Sequence, residues 1–272
     1  MKNNLFKYAT SELSQDAFIS WLMSYAMPDA KADAGLRKCA IAFIKEFVPK
    51  LANTPDDSIA VTELKLQYKK IDVLLTINDK YKVIIEDKTN TSEHDDQLGR
   101  YKKILVKEDN IPADDLFCVY YKTGFDSDLS SVINAGYAIF DRPKILAILN
   151  ANSKGITNDI FLDYLDYYNN FDKEALQYKE LPVNKWSWNM VLAFYNSLKK
   201  ETNIDRSLLD GEFDFEYVQN PYGGFYALWL FPKKQLKFGE ETLFRPYIQI
   251  ETRSCDIVGQ DKGDINICFR LY

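Results

Sequence analysis

The chain has 272 residues, 46% hydrophobic and 27% charged, with a formal net charge of −6. That composition gives core enough for one large domain or two moderate ones. It excludes a broadly basic surface, so any nucleic acid must be held by a local patch or through metal ions.

Residues 11–27 have helical spacing, with Leu13, Phe18, Trp21, Leu22 and Tyr25 as the apolar stripe and Ser11 at the N-cap. Glu12 and Asp16 are four apart and share a face; both equally suit an exposed helix start through the macrodipole. A second helix over 31–48 buries Leu36, Cys39, Ala40, Phe43, Ile44 and Phe47, and Pro49 with the polar NTPDD segment ends it. Residues 58–68 alternate weakly and read as a strand.

Residues 69–90 carry the strongest signal. Ile71, Val73, Leu75 and Ile77 alternate with Asp72, Leu74 and Thr76. After Asn78-Asp79-Lys80 the alternation resumes, with Tyr81, Val83 and Ile85 against Lys82, Ile84, Glu86 and Lys88. Period-2 patterning around Asn-Asp is a hairpin. A three-residue loop at 78–80 makes paired positions sum to 158, which sets Asp72 opposite Glu86, with Cβ atoms roughly 4.5–5.5 Å apart. Lys88 points to the same face as Glu86. A two-residue loop would shift the register and part the acids. Opposed carboxylates repel, and a divalent cation is the natural compensation. With the Lys88 ammonium beside it, this geometry suggests metal-assisted phosphodiester hydrolysis. The plain alternative is a solvated face carrying ordinary charges.

A third helix is expected over 91–109, capped by Thr91 or Ser92, with Glu93, Asp95 and Asp96 in its first turn. Leu98, Tyr101, Ile104 and Leu105 form its stripe, and Gln97 and Tyr101 share a face. LFCVYY at 116–121 reads as a buried strand, GYAIF at 136–140 as another, and 143–149 as a short helix. Residues 157–200 read as helix in two pieces split near Leu181-Pro182. From about Gly211 the character turns to strands: FDFEYV, FYALWLF across an NPYGG turn, PYIQIET and DINICFRLY. The dense aromatics of these strands read as core packing rather than as a base-stacking surface.

The single histidine, His94, and four cysteines without a CxxC pair exclude a histidine-rich zinc site. Cys39, Cys118, Cys255 and Cys268 read as free thiols of a cytoplasmic protein. Neither an apolar leader nor an apolar run of membrane-spanning length is present, so no membrane contact is expected. His94 has the intrinsic pKa of a general base, although a solvated histidine at a helix start fits its position better. Lys65, Lys69, Lys70, Arg100, Lys102 and Lys103 flank the hairpin and the third helix in sequence, and suggest a local positive patch.

The order helix, strand, strand with Asp72, strand with Glu86 and Lys88, helix with Gln97 and Tyr101, strand resembles the PD-(D/E)XK nuclease superfamily, whose core is shared with restriction endonucleases. The matching stretches are Asp72 in KKIDVLL, Glu86-Asp87-Lys88 in VIIEDKTN, and Gln97 with Tyr101 in DDQLGRYKKIL. The last resembles the Gln-x-x-x-Tyr motif of one nuclease branch. Glu12 ahead of FISWL resembles the acid that many members carry on their opening helix, and Asp16 competes for that role. The resemblance covers about residues 5–125. Two departures stand out: no proline precedes Asp72, and Asp87 is an acid at the variable middle position, pointing away from the metal by alternation.

The resemblance implies an α/β fold: a three-layer restriction-endonuclease-like core with a mixed central sheet over residues 1–150, followed by a helical segment over 151–205 and a C-terminal β-rich unit over 206–272. It implies Asp72 and Glu86 as ligands of Mg²⁺ or Mn²⁺, with the backbone carbonyl of Asp87 and with Glu12, directly or through water. Lys88 would position the attacking water, and Gln97 and Tyr101 would orient the site or touch the phosphate backbone. DNA is the implied partner and phosphodiester hydrolysis the implied reaction. The competing expectation is a catalytically silent nuclease-fold module that binds nucleic acid or a protein partner.

Overall fold

Residues 69–89 hold two antiparallel strands, β2 (Ile71–Ile77) and β3 (Tyr81–Lys88). Ile77 pairs with Tyr81 and Val73 with Ile85, so the register sum of 158 holds. The loop closes through Asn78 and Asp79, at φ 51° and 56°, a left-handed conformation that these two residue types tolerate best among non-glycines. The Asn78 side chain fixes the turn by accepting from the Ala60 N–H at 2.8 Å and donating to the Ser58 carbonyl at 2.9 Å. The computed structural model describes residues 3–30, 33–89, 97–126, 128–201, 205–210, 213–220, 223–238, 242–253 and 264–271.

These contacts divide the chain into two compact units, residues 1–169 and 170–272. The first is built on a five-stranded mixed sheet ordered β1-β2-β3-β4-β5, where β1 is Val61–Tyr68, β4 Leu116–Lys122 and β5 Ala138–Asp141. β1, β2 and β3 pair antiparallel, and β3, β4 and β5 parallel. Helices α1 (Glu12–Ser24) and α2 (Ala34–Phe47) pack on one face, with α5 (Arg142–Asn152) against α2. The other face carries α3 (Gln97–Lys103) and α4 (Ser130–Asn134), whose Leu98, Tyr101 and Val132 join Leu74, Ile84, Cys118 and Tyr120 in one core. Helices on both faces make this a three-layer α/β fold. They also explain why β2 is buried throughout except at Asp72: a doubly covered sheet has no solvated face, so the hairpin is not an exposed charged ribbon.

Several expectations need correction. Leu13 is 67% exposed; the buried side of α1 instead includes the polar Gln15, Asp16 and Ser20. Ile160, near the start of α6 (Asp159–Leu176), is also exposed. Ser11 occupies the N-cap position, but its hydroxyl meets Ser14 Oγ and not a backbone amide. The expected start of the third helix, with Thr91, Ser92, Glu93, His94, Asp95 and Asp96, lies outside the described residues, as does Cys255. After Lys103 that helix widens into a π-helical turn over Ile104–Glu108.

The division between the units falls inside α6, after Asn169. The second unit holds α7 (Trp188–Lys199) and a four-stranded antiparallel sheet ordered β11-β10-β7-β6, with β6 Asp214–Asn220, β7 Gly223–Leu230, β10 Pro246–Arg253 and β11 Asp264–Leu271. A further two-stranded hairpin, β8 (Leu236–Phe238) and β9 (Thr242–Phe244), had no signal in the sequence reading. The Tyr195 hydroxyl of α7 donates to the carbonyls of Tyr226 and Ile250, both at 3.0 Å, which ties the helix to this sheet.

Candidate active site

The β2–β3 ladder ends at Val73 and Ile85, and the next position along each strand carries Asp72 and Glu86. Asp72 Oδ2 accepts from the Asp87 N–H at 3.0 Å, so a side chain closes the strand end. Glu86 is fully buried. Its Oε1 accepts from Lys88 Nζ at 2.7 Å and from Gln97 Nε2 at 2.7 Å. Gln97 Nε2 also donates to the Tyr101 hydroxyl at 2.6 Å, so Gln97 links Glu86 to the residue four positions on along α3. Glu86 Oε2 has no partner among the described residues. The five residues singled out as a catalytic set, Asp72, Glu86, Lys88, Gln97 and Tyr101, therefore lie together at one end of the hairpin.

Helix α1 brings more acid. Glu12 Oε1 accepts from the Thr89 N–H at 3.2 Å, joining the helix start to the end of β3. Asp16, one turn on, is 4% exposed; its Oδ2 accepts from Gln67 Nε2 at 3.3 Å, and the same amide nitrogen reaches Asp72 Oδ1 at 3.3 Å. The Asp87 side chain leaves β3 on the face opposite Glu86 by alternation, and the charges that act on it most strongly are those of Asp16 and Glu12.

Burial and mutual repulsion dominate the electrostatics. Glu86 is pushed up to about 8 by burial and then by the Asp72 charge, against the pull of Lys88. Asp16 rises to about 7 by burial, then Asp72, with the Gln67 hydrogen bond opposing. Asp87 is driven well above the usual carboxylate range by burial and then by Asp16 and Glu12. Burial works against the Lys88 ammonium, but its bond to Glu86 and the charges of Glu86, Glu12 and Asp72 carry it above the ordinary lysine value.

Several features around the site were not legible in the sequence. Gln67, which bridges Asp16 and Asp72, sits at φ 52°, and the β1–β2 turn beyond it is formed by Lys69 and Lys70 at φ 52° and 74°; no glycine or asparagine marks that turn. Lys122 stands abreast of Lys88 in the parallel register, is 2% exposed, and pairs with Asp126 at 3.4 Å. Burial holds its ammonium below the ordinary value. Beneath the acids runs a buried chain in which Tyr121 meets Tyr164 at 3.1 Å, Tyr164 donates to Gln15 Oε1 at 2.7 Å, and Gln15 bonds Tyr168. Two members of the expected positive patch are tied to acids: Lys65 pairs with Glu63 at 2.8 Å, and Lys69 with Glu108 and Asp109 at 3.1 and 2.8 Å. An open cavity of about 530 Å³ lined by Trp21, Tyr25, Asp29 and Asp79 lies at the turn end of the hairpin, roughly 20 Å along the strands from Glu86.

Among the described residues no three acid, histidine or cysteine side chains converge closely enough to cage a metal ion. A hard divalent cation does not require three: Mg²⁺ is commonly held by one or two carboxylates, with waters and substrate phosphate oxygens completing its octahedron. Asp72 beside a buried Glu86 with an unpartnered oxygen fits that need. Among the described residues no helix is long and apolar enough to cross a membrane. A family model described as the PD-(D/E)XK nuclease superfamily matches residues 3–209. No curated protein and no solved structure matches the chain.

Proposed function

Because the chain belongs to the PD-(D/E)XK nuclease superfamily, we propose that it hydrolyses DNA phosphodiester bonds with Mg²⁺ or Mn²⁺ held by Asp72, Glu86 and the backbone carbonyl of Asp87. Glu12 contributes directly or through water. The observation that carries the reading is the buried Glu86, gripped by Lys88 and Gln97 through one oxygen, its other oxygen unpartnered among the described residues and beside Asp72. A cation bound there supplies Lewis acidity to the scissile phosphate. Lys88 orients the attacking water and stabilises the negative charge that grows on the phosphoryl oxygens. As the water oxygen bonds to phosphorus, the opposite P–O bond breaks and its oxygen leaves with a proton. Gln97 fixes the Glu86 rotamer, and Tyr101 backs Gln97, as a Gln-x-x-x-Tyr pair would. Residues 1–150 serve as the nuclease core, followed by a helical segment over 151–205 and a C-terminal β-rich unit over 206–272. The buried free thiols of Cys39 and Cys118 suit a reducing cytoplasm.

Purified protein incubated with single- and double-stranded DNA and Mg²⁺ or Mn²⁺ should cleave, and chelation should stop it. Glu86→Ala and Lys88→Ala should each lower the rate by about 10²–10⁴-fold. Cleavage that persists in both variants rules out this site. One observation favours the second reading, a silent module that binds nucleic acid or a protein partner: lysines near the site are tied to local acids in a chain of net charge −6. On that reading the protein takes up no cation at Asp72 and Glu86 and cleaves nothing.

A further inference from the structure

One cation between Asp72 and Glu86 leaves part of this acid cluster without a partner among the described residues. Asp87 is fully buried, and among the described residues neither of its carboxylate oxygens has a hydrogen-bond partner. Asp16, on the buried side of α1, has Oδ2 bonded to Gln67 while its buried Oδ1 has no partner among the described residues. The nearby ammonium groups are already engaged, Lys88 with Glu86 at 2.7 Å and Lys122 with Asp126 at 3.4 Å. The hydroxyls of Tyr121 and Tyr164 behind the acids are satisfied within their own chain through Gln15. A buried carboxylate with no donor, proton or cation against it is expensive. Strand alternation puts Asp87 on the face of β3 away from Glu86, so an ion on Glu86 does not serve it.

We propose that Asp16 and Asp87 hold a second divalent cation of the Mg²⁺ or Mn²⁺ class, on the α1 side of β3 and separate from the ion at Asp72 and Glu86. The proposal rests on the reading that the first ion sits at Asp72 and Glu86. Two carboxylates suffice for a hard cation whose remaining positions are filled by carbonyl oxygen and water. Its place under the strand end gives it a holding role: it ties α1 to β3 at the point where both deliver acids to the site.

Mn²⁺ binding to the full-length chain, followed by equilibrium dialysis and by electron paramagnetic resonance of the free ion, tests this without reference to cleavage. The wild type should take up two ions per chain, Asp87→Asn and Asp16→Asn one each, and the double variant Asp72→Asn/Glu86→Gln one. Circular dichroism identifies any variant that fails to fold, and either Asp87→Asn or Asp16→Asn then carries the test. A wild type that binds a single ion, kept in Asp87→Asn and lost in Asp72→Asn/Glu86→Gln, overturns the second site and leaves the nuclease reading standing. A single ion lost in Asp87→Asn and kept in the double variant supports the Asp16–Asp87 site and overturns the nuclease reading. No uptake at all overturns both.

Discussion

Glu86 is the residue on which protonation and metal chemistry meet. Its carboxyl rises from 4.5 to about 8 in the fold, chiefly through burial and then through Asp72. Between those values the folded chain holds a proton that the unfolded chain releases, so stability falls as pH rises through that window. Asp16, raised from 3.8 to about 7, acts in the same direction over the lower part of the range. The metal-free protein should therefore melt at lower temperature at pH 8 than at pH 5, and Glu86→Gln should flatten the upper part of that decline. A melting temperature that climbs with pH in chelator-treated wild type contradicts the assignment. Cation binding runs the other way, since the ligand must be ionised: Mg²⁺ should raise the melting temperature more at pH 8 than at pH 5. Asp72, Glu86 and Lys88 were legible in the sequence because a period-2 strand dictates facing. The burial of Asp16 was not, because it depends on what packs against α1.

At the scale of elements, the β2–β3 turn sets the register that brings the acids abreast. Asn78 holds the turn by two hydrogen bonds and a left-handed φ of 51°. Asn78→Ala should lose about 2–3 kcal/mol in urea unfolding, from two net hydrogen bonds and the cost of alanine in that conformation. Asn78→Gly should recover about 1 kcal/mol of it. Equal losses in the two variants would mean that backbone conformation plays no part. This element was readable because Asn-Asp is a turn signal. The neighbouring β1–β2 turn was not, because Lys69-Lys70 carries no such signal, and with it went the position of Gln67. Lys69, one of the lysines expected in a positive patch, shows a related limit: it finds its partners at Glu108 and Asp109, about forty positions on, where sequence proximity gives no guide.

At the scale of the whole molecule, a net charge of −6 bears on how a polyanion is held. Each phosphate neutralised by lysine or arginine steepens the salt dependence of binding by about 0.9 in log–log slope. With Lys65 and Lys69 tied to local acids, DNA binding by a Lys88→Ala variant in Mg²⁺ should show a slope shallower than about −3. A steeper slope would reveal a basic surface elsewhere in the chain. The three-layer core was legible because the order of helices and strands around Asp72, Glu86 and Lys88 resembles that of a known nuclease core. The β8–β9 hairpin was not, because three-residue strands carry too little alternation to stand out.

The rung that closes the β2–β3 ladder is the Asp72 carboxylate on the Asp87 amide rather than one main chain on another. A side chain that substitutes for a strand can also be drawn off by a stronger attractor. An arriving ion must share that carboxylate with the amide or take it outright, so capturing the ion and unzipping the end of the sheet become a single event.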